Sequence, residues 1–170
     1  ELVLRCPDDD VGEVLARAYH ARIVSTSRLV ARRVTADAVK RGDRRAVVFG
    51  DNAIGRRTRD MLRDRGIETL LAPLGEDAAS LAPAANAHLV VLADDDLGRN
   101  LLRVDRLRDV APHARIVCRA FHEEAAEILT RAPFRCEVLS SSRLALDSLV
   151  AQGLLAAPPS EAPVGRLARV

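Results

Sequence analysis

The chain has 170 residues, with 26 lysines and arginines against 24 aspartates and glutamates, and a formal net charge of +2. Apolar residues make up 48% of it, but the apolar runs have the length of β-strands and fall far short of the roughly 18 residues that a membrane span requires. This length allows one well-packed domain and part of a second. Because no basic and apolar leader opens the sequence, we expect a cytoplasmic protein.

Composition also argues against nucleic-acid binding, and against a zinc site or a disulfide framework. Positive and negative residues are interleaved along helical stretches and aromatic residues make up only 2% of the chain, whereas nucleic-acid binding favours a stripe of one charge or stacking aromatics. We therefore expect no nucleic-acid partner. Cys6, Cys118 and Cys136 are isolated and odd in number, each in or beside an apolar run. This pattern predicts buried, reduced thiols and favours neither a zinc site nor a disulfide framework.

From residue 44 onward, short apolar runs alternate with helical patterns. Such alternation is typical of a parallel sheet covered on both faces, so we predict an α/β, doubly wound, Rossmann-like fold. Ile54, Thr58 and Leu62 recur with helical spacing, and Gly66 is placed to end that helix. The predicted strands are 46–49, 68–72, 88–93, 115–119 and 136–139, and the further helices lie near 76–81, 97–108, 122–131 and 142–152.

The first forty residues repeat the end of this domain. Segments 2–5, 13–18 and 23–29 match 116–119, 127–132 and 138–144 in the same order. Residues 1–41 are therefore predicted to be the last two strands and helices of a preceding domain, and 43–152 a complete one. An orphan strand edge attracts a partner, so we expect 1–41 to dock on another copy or on the complete domain. A simple N-terminal helical arm is the alternative, and 153–170 is predicted to be a Pro/Ala-rich tail.

The strand at 46–49 leads into a candidate phosphate turn, residues 50–56, at the start of a helix. Backbone N–H groups at a helix start bind phosphate. Gly50 would permit the tight turn and Gly55 the close packing of helix on strand. Asn52 replaces the middle glycine of the usual motif. Asparagine tolerates a positive φ, but its side chain fills part of the volume that a pyrophosphate needs.

An acidic residue usually follows the second strand and holds the ribose hydroxyls. Pro73 stands at that place in this sequence. Glu76 and Asp77 come slightly later and could substitute, although acidic residues at a helix start have an ordinary electrostatic explanation.

Charged residues also follow the next two strands. Asp94, Asp95 and Asp96 come after the third strand, at the edge of the sheet where ligands of such folds bind, and could face a cation or a ribose or cap the next helix. Arg119 ends the fourth strand at the same edge and could meet a phosphate or form a surface ion pair. His122 has no triad partner in the pattern, so we expect a surface histidine.

Four segments resemble the RCK domain, the regulator of potassium conductance that is also found in Trk-type uptake systems. The similarity covers 43 to about 152, and 1–41 resembles the back half of a second such domain. The segments that carry it are 47–56, 89–96 with 100–102, 114–119 and 137–145.

The resemblance implies a cytosolic ligand sensor at the inner face of the membrane, without enzymatic activity. It would form a homodimer or ring and couple binding of NAD, NADH or an adenine nucleotide to a potassium channel or transporter pore outside this chain. No catalytic or metal-ligating residue is implied. The site residues carried over are Gly50, Asp51, Asn52, Gly55 and Arg56 at the phosphate turn, Asp94, Asp95 and Asp96 near the ribose and base, and Arg119 beside a phosphate.

Two further hypotheses share this fold. One is a structural dimerisation domain without ligand. Asn52 and Pro73 both depart from the NAD-binding pattern, and would suit either such a domain or a nucleotide that is held differently. The other is an oxidoreductase fragment, which would need a catalytic acid, base or tyrosine at the sheet edge and a substrate domain. A Rossmann-like sheet alone does not decide among these functions.

Overall fold

Strands and helices alternate along the chain. The computed structural model describes residues 2–94, 96–120 and 123–155, with only the backbone over 123–126, so Asp95, His122 and 156–170 lie outside the described residues. The strands are β1 (Val3–Cys6), β2 (Arg22–Ser25), β3 (Arg45–Phe49), β4 (Glu68–Ala72), β5 (Leu89–Leu92), β6 (Arg115–Ala120) and β7 (Glu137–Ser140). The helices are α1 (Asp9–Tyr19), α2 (Thr26–Arg41), α3 (Ala53–Arg63), α4 (Ala78–Leu81), α5 (Leu97–Val110), α6 (Glu123–Thr130) and α7 (Ser141–Ala151), and a 3₁₀ turn spans Ala82–Ala84.

The main sheet confirms the predicted fold. Within the described residues it has five parallel strands in the order β4-β3-β5-β6-β7. The chain leaves β3 toward β4 on one side and returns to β5 on the other. The topological switch point, where doubly wound sheets bind ligands, therefore lies between the carboxyl ends of β3 and β5.

Short polar side chains start the helices. Asn52 accepts a hydrogen bond from the N–H of Gly55, and Asp96 accepts one from the N–H of Arg99. Asp77 caps α4 in the same way, so this helix begins later than predicted. Gly66 has φ of 76° in the turn after α3, as a glycine that ends a helix should. Among the described residues, no helix is both long and apolar enough to cross a membrane.

The sheet separates two apolar clusters. Phe49, Leu92 and Ile116 point to one face, where α4, α5 and α6 cover them. Val48 and Val91 point to the other, where α2, α3 and α7 lie. Burial on both faces explains why the strands are apolar almost without interruption.

Helix α2 belongs to the core of the complete domain. Val30, Val34 and Ala38 are buried in the second cluster together with Val48 and Ile54, and α2 packs most extensively against α3. Residues 2–41 thus dock on the rest of the same chain through α2, which is one of the two arrangements expected from the sequence.

Residues 2–41, which we call the N-terminal unit, have the topology of the end of the main domain. β1 and β2 form a separate parallel pair that aligns Val3 with Arg22, while β6 and β7 align Val117 with Glu137. These residues correspond in the repeat, so the two pairs share one register. Because two strands precede α2, the alternative of a simple helical arm is wrong.

The three cysteines are free and buried, as predicted. A hydrogen bond between the thiols of Cys118 and Cys136 raises the pKa of Cys118, and burial acts in the same direction. The same hydrogen bond lowers the pKa of Cys136, with help from the Arg108 guanidinium and against the effect of burial.

The packing of α2 predicts that valine-to-alanine substitutions at a buried and at an exposed position of this helix lower the free energy of unfolding by different amounts. Val34 is 1% exposed, so Val34→Ala leaves a cavity and should lower the free energy of unfolding by about 2 kcal/mol. Val39 in the same helix is 46% exposed, and Val39→Ala should change stability by less than about 0.5 kcal/mol. Urea unfolding measures both values. Equal effects would contradict a core position for α2.

Candidate functional site

The phosphate turn, residues 50–56, joins β3 to α3 beside the switch point. Gly50 has φ of 117°, a conformation that favours glycine. A Cβ on Gly55 would lie 1.8 Å from the carbonyl oxygen of Gly50, so only glycine lets α3 approach the strand this closely. The steric roles predicted for both glycines are confirmed.

Asn52 bridges the switch point. Its Oδ1 accepts a hydrogen bond from the N–H of Gly55 at 2.9 Å, and its Nδ2 donates to the carbonyl of Ala93 at 3.2 Å, just after β5. Its φ is −122°, so the residue is extended and its tolerance of positive φ is not used. A phosphate at the start of α3 must compete with the Asn52 side chain for the N–H of Gly55.

Arg56 and Asp51 form an ion pair at the mouth of the turn. Arg56 Nη1 lies 2.9 Å from Asp51 Oδ1, and both side chains are exposed. Such a surface pair contributes only about 0–1 kcal/mol, so it costs little to break. The Arg56 guanidinium can therefore turn to an incoming anion.

The acidic run after β5 divides between two roles. Asp96 caps α5, which was the structural explanation considered for these residues. Asp94 instead forms an ion pair with Arg103, at 3.0 Å between Oδ2 and Nη1. Asp95 lies outside the described residues. Arg119 is half-buried on β6 and pairs in register with Leu139, at the same edge of the sheet but beyond β5 from the phosphate turn.

The loop after β4 shows what replaces the usual ribose-binding acid. Pro73 directly follows the strand, as the sequence indicated. Asp77 caps α4, and a hydrogen bond from the Ser80 hydroxyl lowers the pKa of this carboxyl. Glu76 lies against two arginines of α5, with Oε1 3.6 Å from Arg99 Nε and 3.8 Å from Arg103 Nη2.

Arg103 and Asn100 are the site residues that sequence reasoning missed. Both are buried on the inner face of α5, where Asn100 lies one helical turn before Val104 and Arg103 one turn before Leu107. Asn100 donates to the backbone carbonyl of Asp94 at 2.9 Å, and its Oδ1 accepts from Arg103 at 3.1 Å. The sequence did hold one signal that could have identified Arg103, namely a charged residue on the apolar face of a helix. Such a residue needs a partner in the fold.

The close packing at Gly55 can be tested by comparing two glycine-to-alanine substitutions, each in the first turn of a helix. Gly55→Ala puts a Cβ against the Gly50 carbonyl and should lower the free energy of unfolding by at least about 3 kcal/mol. Gly98→Ala, also in the first turn of a helix, meets nothing closer than Asp96 Oδ1 at 3.6 Å and should leave stability unchanged or raise it by up to about 1 kcal/mol. Thermal unfolding followed by circular dichroism compares them, and a Gly55→Ala protein as stable as the wild type would refute the close approach.

Comparison with known proteins places the fold. The sequence matches no protein-family model and no curated protein. Among solved structures, GsuK bound to ADP superimposes with a TM-score of 0.72 at 20% identity, covering 89% of this chain and 45% of that one. A GsuK mutant gives 0.71 at 22% identity, with coverage of 89% and 45%. The GsuK RCK domain gives 0.54 at 21% identity, with coverage of 65% and 28%.

This chain thus spans less than half the length of the GsuK structures that it matches. At such identities the likeness concerns the fold. The fold of this chain is RCK-like, with a Rossmann-like α/β sheet of parallel strands.

Proposed function

We propose that this chain is a regulatory domain of a potassium channel or potassium transport system, which binds a nucleotide at the phosphate turn and passes that signal to a membrane pore. The observation that carries the proposal is the position of the turn. Residues 50–56 join β3 to α3 at the switch point, where doubly wound sheets bind their ligands. The fold similarity to GsuK, which was crystallised with ADP, supports it.

The proposed ligand is an adenine nucleotide. The start of α3 offers backbone N–H groups and the positive end of a helix dipole, and Arg56 adds a mobile cation. Asn52 fills part of the crossing between β3 and β5, through which a dinucleotide would extend. We therefore rank ADP and ATP above NAD and NADH.

We propose a sensor and not an enzyme. At the carboxyl edge of the sheet, Asp51, Asp94 and Glu76 each lie against an arginine. Carboxylates held in this way have acceptor positions that a polar ligand can use.

The proposed partners are further copies of the chain and a pore-forming membrane segment, with the domain at the cytoplasmic face. Among the described residues, β1 pairs with β2 only, which leaves its other edge open. Val11 and Val14 of α1 are exposed. We assign this surface to the first half of a preceding domain, of which the N-terminal unit would be the end.

A contact between α1 and α3 offers a route for the signal. Asp9 Oδ2 lies 3.6 Å from both Arg57 Nε and Arg28 Nη2, and the carboxylate also accepts a hydrogen bond from the Ser25 hydroxyl. Arg57 follows Arg56 in the first turns of α3. A phosphate that attracts Arg57 would weaken its pairing with Asp9, and so loosen the N-terminal unit.

A ligand-free scaffold is the second candidate. One observation favours it: a Cβ at Gly50 would meet Ala93, Asn52 and Leu74 within 3.6 Å, so the turn is already covered by the protein's own side chains. The two candidates differ in whether purified protein binds a nucleotide.

Thermal unfolding with millimolar ADP, ATP, NAD or NADH tests the proposal. ADP at about 100 times its Kd should stabilise the native state by about 2.7 kcal/mol and raise the Tm by several degrees. Arg56→Ala should weaken ADP binding about tenfold, since a hydrogen bond to a charged group is lost. Arg65→Ala, an exposed position beyond the other end of α3, is the control and should bind like the wild type. No shift with any nucleotide would favour the scaffold.

The Asp9 contact predicts a change in affinity at a distance from the ligand. Asp9→Asn removes the charge that holds Arg57, so ADP should bind about threefold to tenfold more tightly, as coupling between two sites requires. Asp10→Asn makes the same change at the next, exposed residue and should have no effect. Isothermal titration of both variants measures the difference. If both variants bind ADP with the same affinity, Asp9 does not couple the N-terminal unit to the ligand.

A further inference from the structure

Arg103 is the bulkiest fully buried side chain among the described residues, with 1% exposure. It lies on α5 beside Val104 and Leu107, which belong to the apolar core. Taking a guanidinium out of water costs several kcal/mol unless hydrogen bonds and an opposite charge compensate. The partners of Arg103 therefore show what this residue does.

These partners come from two loops. Nη1 lies 3.0 Å from Asp94 Oδ2, Nε donates to the carbonyl of Gly75 at 3.3 Å, and Nη2 lies 3.8 Å from Glu76 Oε1. Gly75 and Glu76 follow β4, and Asp94 follows β5. Because β3 lies between β4 and β5 in the sheet, Arg103 joins the two loops that flank the phosphate turn.

The loop after β4 is held at a second point. A Cβ on Gly75 would lie 2.2 Å from the Cβ of Ser80, so the loop is pressed against α4 at a position where only glycine fits. The Arg103 guanidinium holds the same residue by its carbonyl. The position of Glu76, the next residue, is thus set from both sides.

The two carboxylates remain accessible while Arg103 does not. The side chains of Asp94 and Glu76 are 22% and 39% exposed, and that of Arg103 is 1% exposed. Asp94 Oδ1 also accepts a hydrogen bond from the N–H of Asp96 at 3.4 Å, but an ionised carboxylate has about four acceptor positions and can take several donors at once. Ribose hydroxyls are suitable donors, and Pro73 has displaced the acid that usually receives them.

We propose that Arg103 is a positioning residue that holds Asp94 and Glu76 as acceptors for the ribose hydroxyls, so that the site selects ribonucleotides over 2′-deoxyribonucleotides. This inference rests on the proposed function. It assigns the sugar specificity to a pair of carboxylates that share one buried cation, with the exposed Arg99 also 3.6 Å from Glu76, in place of the single acid after the second strand.

The test compares the affinities of ADP and 2′-deoxy-ADP by isothermal titration of the full chain. Both ligands carry the same phosphates and base, so their affinity ratio isolates the ribose contact. The wild type should prefer ADP about tenfold, as expected when a hydrogen bond to a charged group is lost. Arg103→Met should reduce the ratio to near one, and Arg103→Lys, which keeps the charge without the planar fork, should give an intermediate ratio.

Two variants keep the test independent of the stability of Arg103→Met. Asp94→Asn and Glu76→Gln preserve side-chain size and remove one ionised acceptor each, and at least one of them should lower the ratio. Arg131→Met, at an exposed ion pair with Glu127, is the control and should keep it. The thermal midpoint of each variant reports whether it is folded.

The outcomes separate this inference from the proposed function. A wild type that binds neither nucleotide overturns both. A wild type that binds ADP and 2′-deoxy-ADP equally overturns the inference alone. A folded Arg103→Met protein that keeps the tenfold preference, or a preference retained in both carboxylate variants, overturns the assignment of these residues.

Discussion

The close approach of α3 to β3 is the constraint on which the rest of the site depends. Because Gly55 has no Cβ, the first turn of α3 can lie directly against the carbonyl of Gly50. This contact sets the position of Asn52 at the crossing and of Arg57 against the N-terminal unit. The need for glycine at position 55 thus fixes the turn, the helix cap Asn52 and the contact between α3 and α1.

The second organising feature is a core that two repeated units share. Helix α2 belongs to the N-terminal unit by topology, yet its apolar face covers the main sheet beside α3. Arg5 of β1 also contacts the main domain, because its guanidinium donates to the hydroxyls of Ser141 and Ser142 at the start of α7. Since apolar burial supplies most of the stability of a fold, the two units are expected to unfold together. A change in the N-terminal unit therefore acts directly on the sheet that carries the phosphate turn.

Among the described residues, arginine side chains form many of the hydrogen bonds and ion pairs that join distant segments. Arg108 donates to the carbonyls of Phe134 and Arg135, and Arg63 donates to that of Thr69, so each fastens a loop or strand to a neighbouring helix. Arg103 does the same at the carboxyl edge with carboxylates added. A planar guanidinium with several donors can satisfy two or three acceptors at once, which an ammonium group does less well.

The sequence by itself determined the features that depend on neighbours along the chain. The alternation of strands and helices, the steric roles of Gly50 and Gly55, and the repeat of strand, helix, strand and helix follow from local periodicity and turn chemistry. Only the tertiary structure decided which distant groups meet. It brought α2 onto the main sheet, Asn52 to the carbonyl of Ala93, and Arg103 to Asp94 and Glu76. An apolar stripe or a charge in a sequence shows that a partner is needed, whereas the identity of that partner depends on strand order and helix packing, which arise from contacts between residues far apart in the chain.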